Sequence, residues 1–169
     1  EAQQKLADWV RGGGRLIFID TGGGFDGTPL QDIMPVRVDP KLGAQWAEEA
    51  GSATDAPLVR GLPLDALGQH FYGAVWAPYD KTSVALTNNP GRAQDWYREL
   101  PGGGKVAFLF QGQGATATWL GTYATSSPQR PDAGHAWRLF ARRLVYGLVY
   151  GDKAFPVLAA IAPAAGAVV

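Results

Sequence analysis

The chain has 169 residues, enough for one domain with a sizeable core. Fifteen basic residues balance fifteen acidic ones, so no net field gathers phosphates or anionic lipid, and nucleic acid is not an expected partner. Zero cysteines rule out disulfides, thiolate zinc sites and thiol nucleophiles together, and two histidines without an H-E-x-x-H arrangement give no histidine-rich metal site.

Leu6, Trp9 and Val10 stand at helical spacing ahead of Gly12, which predicts a short amphipathic helix with Trp9 in the core and glycine at C′. The apolar run Leu16-Ile17-Phe18-Ile19 follows, and it predicts a central parallel strand buried on both faces. Thr28-Pro29-Leu30-Gln31 is a capping box with proline at the first helical position, opening a short helix that Pro35 stops; Val36–Val38 is then a strand. Trp46, Ala47 and Ala50 fit one face of a helical turn or two. Phe71–Trp76 and Ser83–Thr87 are rich in β-formers and bounded by Pro78 and by Asn88-Asn89-Pro90-Gly91, so both predict strands. Lys105–Phe110, after Gly102-Gly103-Gly104, predicts a second buried strand. Ala136, Leu139, Phe140, Leu144 and Gly147 follow the spacing of a long closing helix, with Arg138, Arg142 and Arg143 on its other faces. These elements add up to an α/β layered domain over residues 1–155, followed by an apolar Ala/Pro-rich tail or linker at 156–169. The uncharged run from Val157 to Val169 falls short of the roughly 20 residues that span a bilayer, so the expected chain has no membrane-spanning segment.

The glycine run after the first strand is the leading candidate cleft, because open α/β folds place ligands at the carboxyl ends of buried strands. Thr21, Gly22, Gly23 and Gly24 form it, flanked by Asp20 and Asp26. Gly22, Gly24 and Gly27 fit G-x-G-x-x-G, yet the helix signals begin at Thr28, after the run has ended, so a tight turn or a ligand-cradling loop competes with a dinucleotide fingerprint. The two aspartates can act as a base, hold Mg²⁺ or cap backbone amides. His135, near the start of the closing helix, either faces the cleft or is solvated.

The order of these motifs resembles the class I glutamine amidotransferase-like superfamily. The likeness is greatest to the branch carried within large bacterial proteins that also bear von Willebrand A domains. Ala2-Gln3-Gln4-Lys5-Leu6-Ala7-Asp8-Trp9-Val10 followed by Gly12-Gly13-Gly14-Arg15-Leu16-Ile17-Phe18 carries the resemblance. So do Thr28-Pro29-Leu30-Gln31-Asp32-Ile33-Met34-Pro35-Val36, which is similar to T-P-L-x-x-L-L-P-V, the run Pro57-Leu58-Val59-Arg60-Gly61-Leu62-Pro63, and the glycine-Lys105-Val106-Ala107-Phe108 strand; together they span Ala2 to Tyr150. The resemblance implies a flavodoxin-like layered domain with a mostly parallel sheet, lacking the family's first strand and helix, which belong before Glu1. It also implies a nucleophilic Cys on the turn after the central strand and a His-x-Glu pair after a later one. Thr21-Gly22-Gly23 and Gln111-Gly112-Gln113 stand at those places, and the amides of Gln111 and Gln113 take no proton at neutral pH.

The expected function is therefore a catalytically inactive amidotransferase-like domain serving as a binding, structural or assembly module, with a protein partner or self-assembly and no cofactor. The alternatives are a carbohydrate-binding protein or hydrolytic enzyme with a refitted cleft built from Asp20, His135 and the glutamines, taking a small ligand or sugar, and a nucleotide binder through the glycine run. An extracytoplasmic or membrane-associated parent protein fits the resemblance.

Overall fold

The computed structural model describes residues 1–20, 25–39, 44–47, 52–62, 71–74, 76–88, 95–110 and 133–151. Among them are two α-helices, α1 (Ala2–Arg11) and α2 (Ala133–Tyr150), and a 3-10 turn at Gln31–Ile33. The strands are β1 (Arg15–Asp20), β2 (Val36–Val38), β3 (Ala44–Ala47), β4 (Ser52–Ala53), β5 (Phe71–Ala74), β6 (Trp76–Pro78), β7 (Val84–Ala85), β8 (Thr87–Asn88), β9 (Trp96–Glu99) and β10 (Lys105–Phe110).

The main sheet has the order β1-β10-β9-β7. β1 and β10 run parallel, Arg15 against Lys105 through to Asp20 against Phe110. Their pleat sends alternate residues to opposite faces. Leu16, Phe18, Val106 and Phe108 enter one core with Ala7 and Val10 of α1. Ile17, Ala107 and Leu109 enter a second core with Phe140, Leu144 and Leu148 of α2 and with Leu58, Val59 and Leu62. On α2 the spacing 140, 144, 148 is the helical period that brings one stripe onto the sheet. Arg15 ties the far end of that helix down, its Nε donating to the Leu148 carbonyl at 3.2 Å.

The expected flavodoxin-like layered domain with a mostly parallel sheet is overturned. Among the described residues β1/β10 is the one parallel pair, and the other pairs, β10/β9, β7/β9, β2/β6, β3/β5 and β4/β8, are antiparallel. For β9 and β10 connection length is the cause. A parallel pair needs a crossover of about a dozen residues or more, whereas the segment 100–104 between β9 and β10 suffices only for a hairpin. Leu100 N–H donates to the Gly104 carbonyl at 2.7 Å and Gly103 N–H to the Leu100 carbonyl at 2.8 Å, with Gly103 in the left-handed region at φ 78°. β9 itself had no expectation attached. β1 is the terminal strand of the described sheet, not a central one.

Other differences are local. Trp9, expected in the core, is 54% exposed, because the buried stripe of α1 runs through Ala7 and Val10 and the indole falls beside it, across Gly14. The left-handed glycine after α1 is Gly13 at φ 105°, one residue beyond the expected Gly12. The capping box at Thr28 opens a single 3-10 turn rather than a helix: Leu30 N–H donates to Thr28 Oγ1 at 3.2 Å, while Gln31 Oε1 accepts from Gly27 N–H at 2.8 Å. Ala44–Ala47 is strand, paired with β5, where a helical turn was expected. Arg143, expected on an outer face of α2, is buried.

Two glycine triplets let backbone pack on backbone where α1 meets the β9–β10 hairpin. A Cβ on Gly104 would overlap the Val10 carbonyl, and one on Gly102 the Arg11 carbonyl. Lys105 N–H donates to the Gly14 carbonyl at 3.0 Å across the same contact. Gly104→Ala is therefore expected to cost about 1–3 kcal/mol in urea unfolding. Gly12→Ala, at φ −78° with its nearest neighbour at an ordinary 3.4 Å, should leave stability within about 0.5 kcal/mol, so equal losses would remove the close-approach account.

Candidate functional site

The parallel register brings the expected cleft segments to one place. Asp20 and Phe110 are partners at the carboxyl ends of β1 and β10, so the chain leaves the sheet toward Thr21 and toward Gln111 from adjacent positions. Thr21, Gly22, Gly23, Gly24, Gln111 and Gln113 lie outside the described residues, and Asp20 is placed by its backbone. Asp26 is exposed in the turn that returns the chain beneath the sheet. Its neighbour Phe25 anchors that turn, edge-on to Phe18 at 5.8 Å and to Phe108 at 5.9 Å, while Phe18 and Phe108 stack at 6.2 Å as register partners. His135 falls in the first turn of α2, again placed by its backbone. The carboxyl end of the parallel pair thus has a rigid aromatic floor on its α1 side.

A second polar constellation, with no expectation attached, is centred on Arg98 of β9. Trp96, Arg98 and Leu100 alternate inward, so a guanidinium enters the core where the pattern calls for an apolar residue. It is fully engaged by the fold. Nε donates to Thr82 Oγ1 at 3.2 Å, Nη1 to the carbonyls of Asp32 at 2.7 Å and Met34 at 3.2 Å, and Nη2 to Asp80 Oδ2 at 2.7 Å. The guanidinium carbon lies 4.5 Å from the centroid of the Tyr79 ring, in cation–π geometry. Tyr79 Oη donates to Asp32 Oδ1 at 2.9 Å, and that bond, with partial burial, pushes the phenol above its ordinary pKa. Thr82 donates from both N–H and Oγ1 to Asp80 Oδ1, and these bonds, with the Arg98 charge, hold the Asp80 carboxyl below its usual range.

Beside Arg98 opens a cavity of about 320 Å³, lined by Arg11, Asp32, Ile33, Leu100, Pro101 and Gly102. Its charges are already paired: Arg11 contacts Asp8 at 3.0 Å and Asp32 at 3.8 Å, and Arg98 contacts Asp80. The cluster is a clamp that joins β9 to the 3-10 turn and to the 79–83 turn. The inward register of Arg98 was the available signal for it. Among the described residues no group of three or more His, Cys, Asp or Glu could hold a metal ion.

The chain matches no protein-family model and no curated protein. Two similar solved structures are a cytoplasmic protein, STM1381, from Salmonella typhimurium LT2 and the mmIFT52 N-terminal domain. The first has a TM-score of 0.54 at 18% identity, over 80% of this chain and 57% of that one. The second has a TM-score of 0.51 at 15% identity, over 89% of this chain and 71% of that one. This chain therefore spans little more than half of the Salmonella protein. At these identities the likeness is one of fold, and neither description refers to an amidotransferase.

Removing the clamp should be costly. Arg98→Met leaves two backbone carbonyls and Asp80 Oδ2 without the donor they share, with an expected loss of about 3 kcal/mol in urea unfolding. Arg98→Lys should not restore it, since one ammonium cannot replace the planar fork. Asp80 has a lowered folded pKa, so its contribution is full above the ordinary carboxylate range and fades as pH falls through the folded value. Asp80→Asn should flatten that acid limb of the stability profile; an unchanged limb would place the acid sensitivity elsewhere.

Proposed function

We propose that this chain is a non-catalytic contact module that works by self-assembly. The observation that carries the reading is the outer face of α2. Val145, Tyr146, Val149 and Tyr150 are each about half exposed or more, up to 61% for Tyr150, and recur at i, i+1, i+4 and i+5 along one arc of the helix. Tyr146 and Tyr150 pack on each other at 5.8 Å, which holds the arc as one apolar surface. A contiguous face of this kind is characteristic of an interaction site. No helix among the described residues is long and apolar enough to cross a membrane, so the face is not part of a spanning helix.

The residue types of the chain support the non-catalytic half of the reading. Thiolate catalysis is excluded by composition. Under the resemblance to class I amidotransferases, Thr21, Gln111 and Gln113 stand where the nucleophile and its acid-base pair belong. Glutamine added to the protein is expected to release ammonia at the buffer rate; protein-dependent release that disappears in Thr21→Ala would overturn this half.

A ligand-binding crevice is the second reading, favoured by the register that sets Asp20 beside Phe110 at the ends of the parallel pair. It takes a small ligand or sugar at the segments beginning with Thr21 and Gln111.

Sedimentation tests the contact reading. The unaltered chain is expected to associate as its concentration rises, and a Val145→Ser, Val149→Ser, Tyr150→Ser variant to remain monomeric with an unchanged urea midpoint, since those side chains are on the surface. A chain that is monomeric throughout, or a variant that associates equally, would overturn it.

A further inference from the structure

Two cations are buried among the described residues, and they differ in counter-charge. Arg98 has Asp80. Arg143 of α2 is 7% exposed and donates from Nη1 to the Arg60 carbonyl at 2.5 Å. Among the described residues no carboxylate pairs with it. Burial pulls its pKa below the ordinary guanidinium value, yet a guanidinium keeps its proton throughout the range in which proteins are folded, so the charge persists. A buried charge of this kind is costly unless an opposite charge and hydrogen bonds offset it.

The surroundings define what can supply that offset. Arg60 lies across from α2 by its carbonyl, and its own Nε and Nη2 are both turned to the Asp55 carbonyl. The guanidinium presents its remaining N–H groups as a planar fork, the shape that a carboxylate or phosphate meets with paired oxygens. One turn along the same side of α2 is Gly147, buried and without a side chain to cover the fork. Tyr146 and Tyr150 stand three and seven residues on, so the tilted ring pair borders Arg143 where the buried side of the helix gives way to the exposed one.

We propose that Arg143 is the receptor for one oxyanion, a carboxylate or phosphate group, at the seam between α2 and the turn at 57–62, with Tyr146 and Tyr150 bordering its approach. Self-association and this site are separate properties, because a dilute monomer retains the whole of the seam.

Thermal unfolding of the dilute chain tests the site with inorganic phosphate and, in a second arm, acetate, each against chloride at equal ionic strength. Binding to the folded state alone raises the melting temperature in proportion to the logarithm of ligand concentration. The expected result is an upward shift with at least one of the two anions. A phosphate-only shift assigns a phosphate site, and an acetate shift assigns a carboxylate site. The shift should be lost in Arg143→Met and retained in part in Arg143→Lys. If neither anion shifts the unaltered chain, or Arg143→Met shifts equally, the proposal is overturned. Should Arg143→Met not fold, the side-chain Nε–H resonance of Arg143 in the unaltered chain gives the same decision: it must move on addition of the anion that raises the melting temperature, and an unmoved resonance rejects the site.

Discussion

The parallel pairing of β1 with β10 is the constraint on which the rest of this fold depends. Six residues of each strand run in register, and their pleat divides the interior into an α1 side and an α2 side. Each core is built from one helix stripe, alternate positions of the same two strands, and a turn that closes it. Phe18 and Phe108 sit opposite each other on the α1 side, and Phe25 closes their edge. Loss of the pairing would therefore dissolve both cores at once, although neither helix packs on the other's side of the sheet.

The hairpin between β9 and β10 determines how closely α1 can approach. With hydrogen atoms in place of side chains at Gly102 and Gly104, the end of α1 comes down onto the turn until backbone meets backbone. That approach seats Val10 in the core beside Val106. It also places Arg11 over the cavity next to Arg98, so a steric allowance at two glycines positions a polar cluster more than one element away. The cluster in turn fastens β9 to the turns at 31–33 and 79–83 through a single planar side chain.

The two buried arginines show how the same chemical group serves different ends. Arg98 lies in a strand and meets carbonyls, a hydroxyl, a carboxylate and an aromatic face, all from its own chain. Every one of those contacts joins segments distant in sequence, which makes the residue a cross-link. Arg143 lies in a helix against mostly aliphatic neighbours and meets a carbonyl. It sits at the border of the buried face, next to an exposed aromatic pair.

Local pattern alone determined α1, β1, β2, β10 and α2, because each carries its own period of apolar residues or a cap. Leu6 and Val10, Leu16 to Ile19, and Leu139, Phe140 and Leu144 declare themselves without reference to any partner. The sequence also marked Arg15–Asp20 and Lys105–Phe110 as buried strands, and their register makes Asp20 and Phe110 neighbours. Tertiary structure alone decided the direction of pairing. An apolar run has the same pattern whether its neighbour is parallel or antiparallel, and the hairpin turn at 100–104 made β9 antiparallel where the resemblance implied a mostly parallel sheet. It likewise decided the fate of the arginines. Arg142 and Arg143 are adjacent in the chain and alike in composition, yet a rotation of about 100° per residue leaves one in solvent and turns the other beneath the helix. Burial of a charge depends on what packs above it, and that is settled by segments 80 or more residues away, as the bond from Arg143 to the Arg60 carbonyl shows.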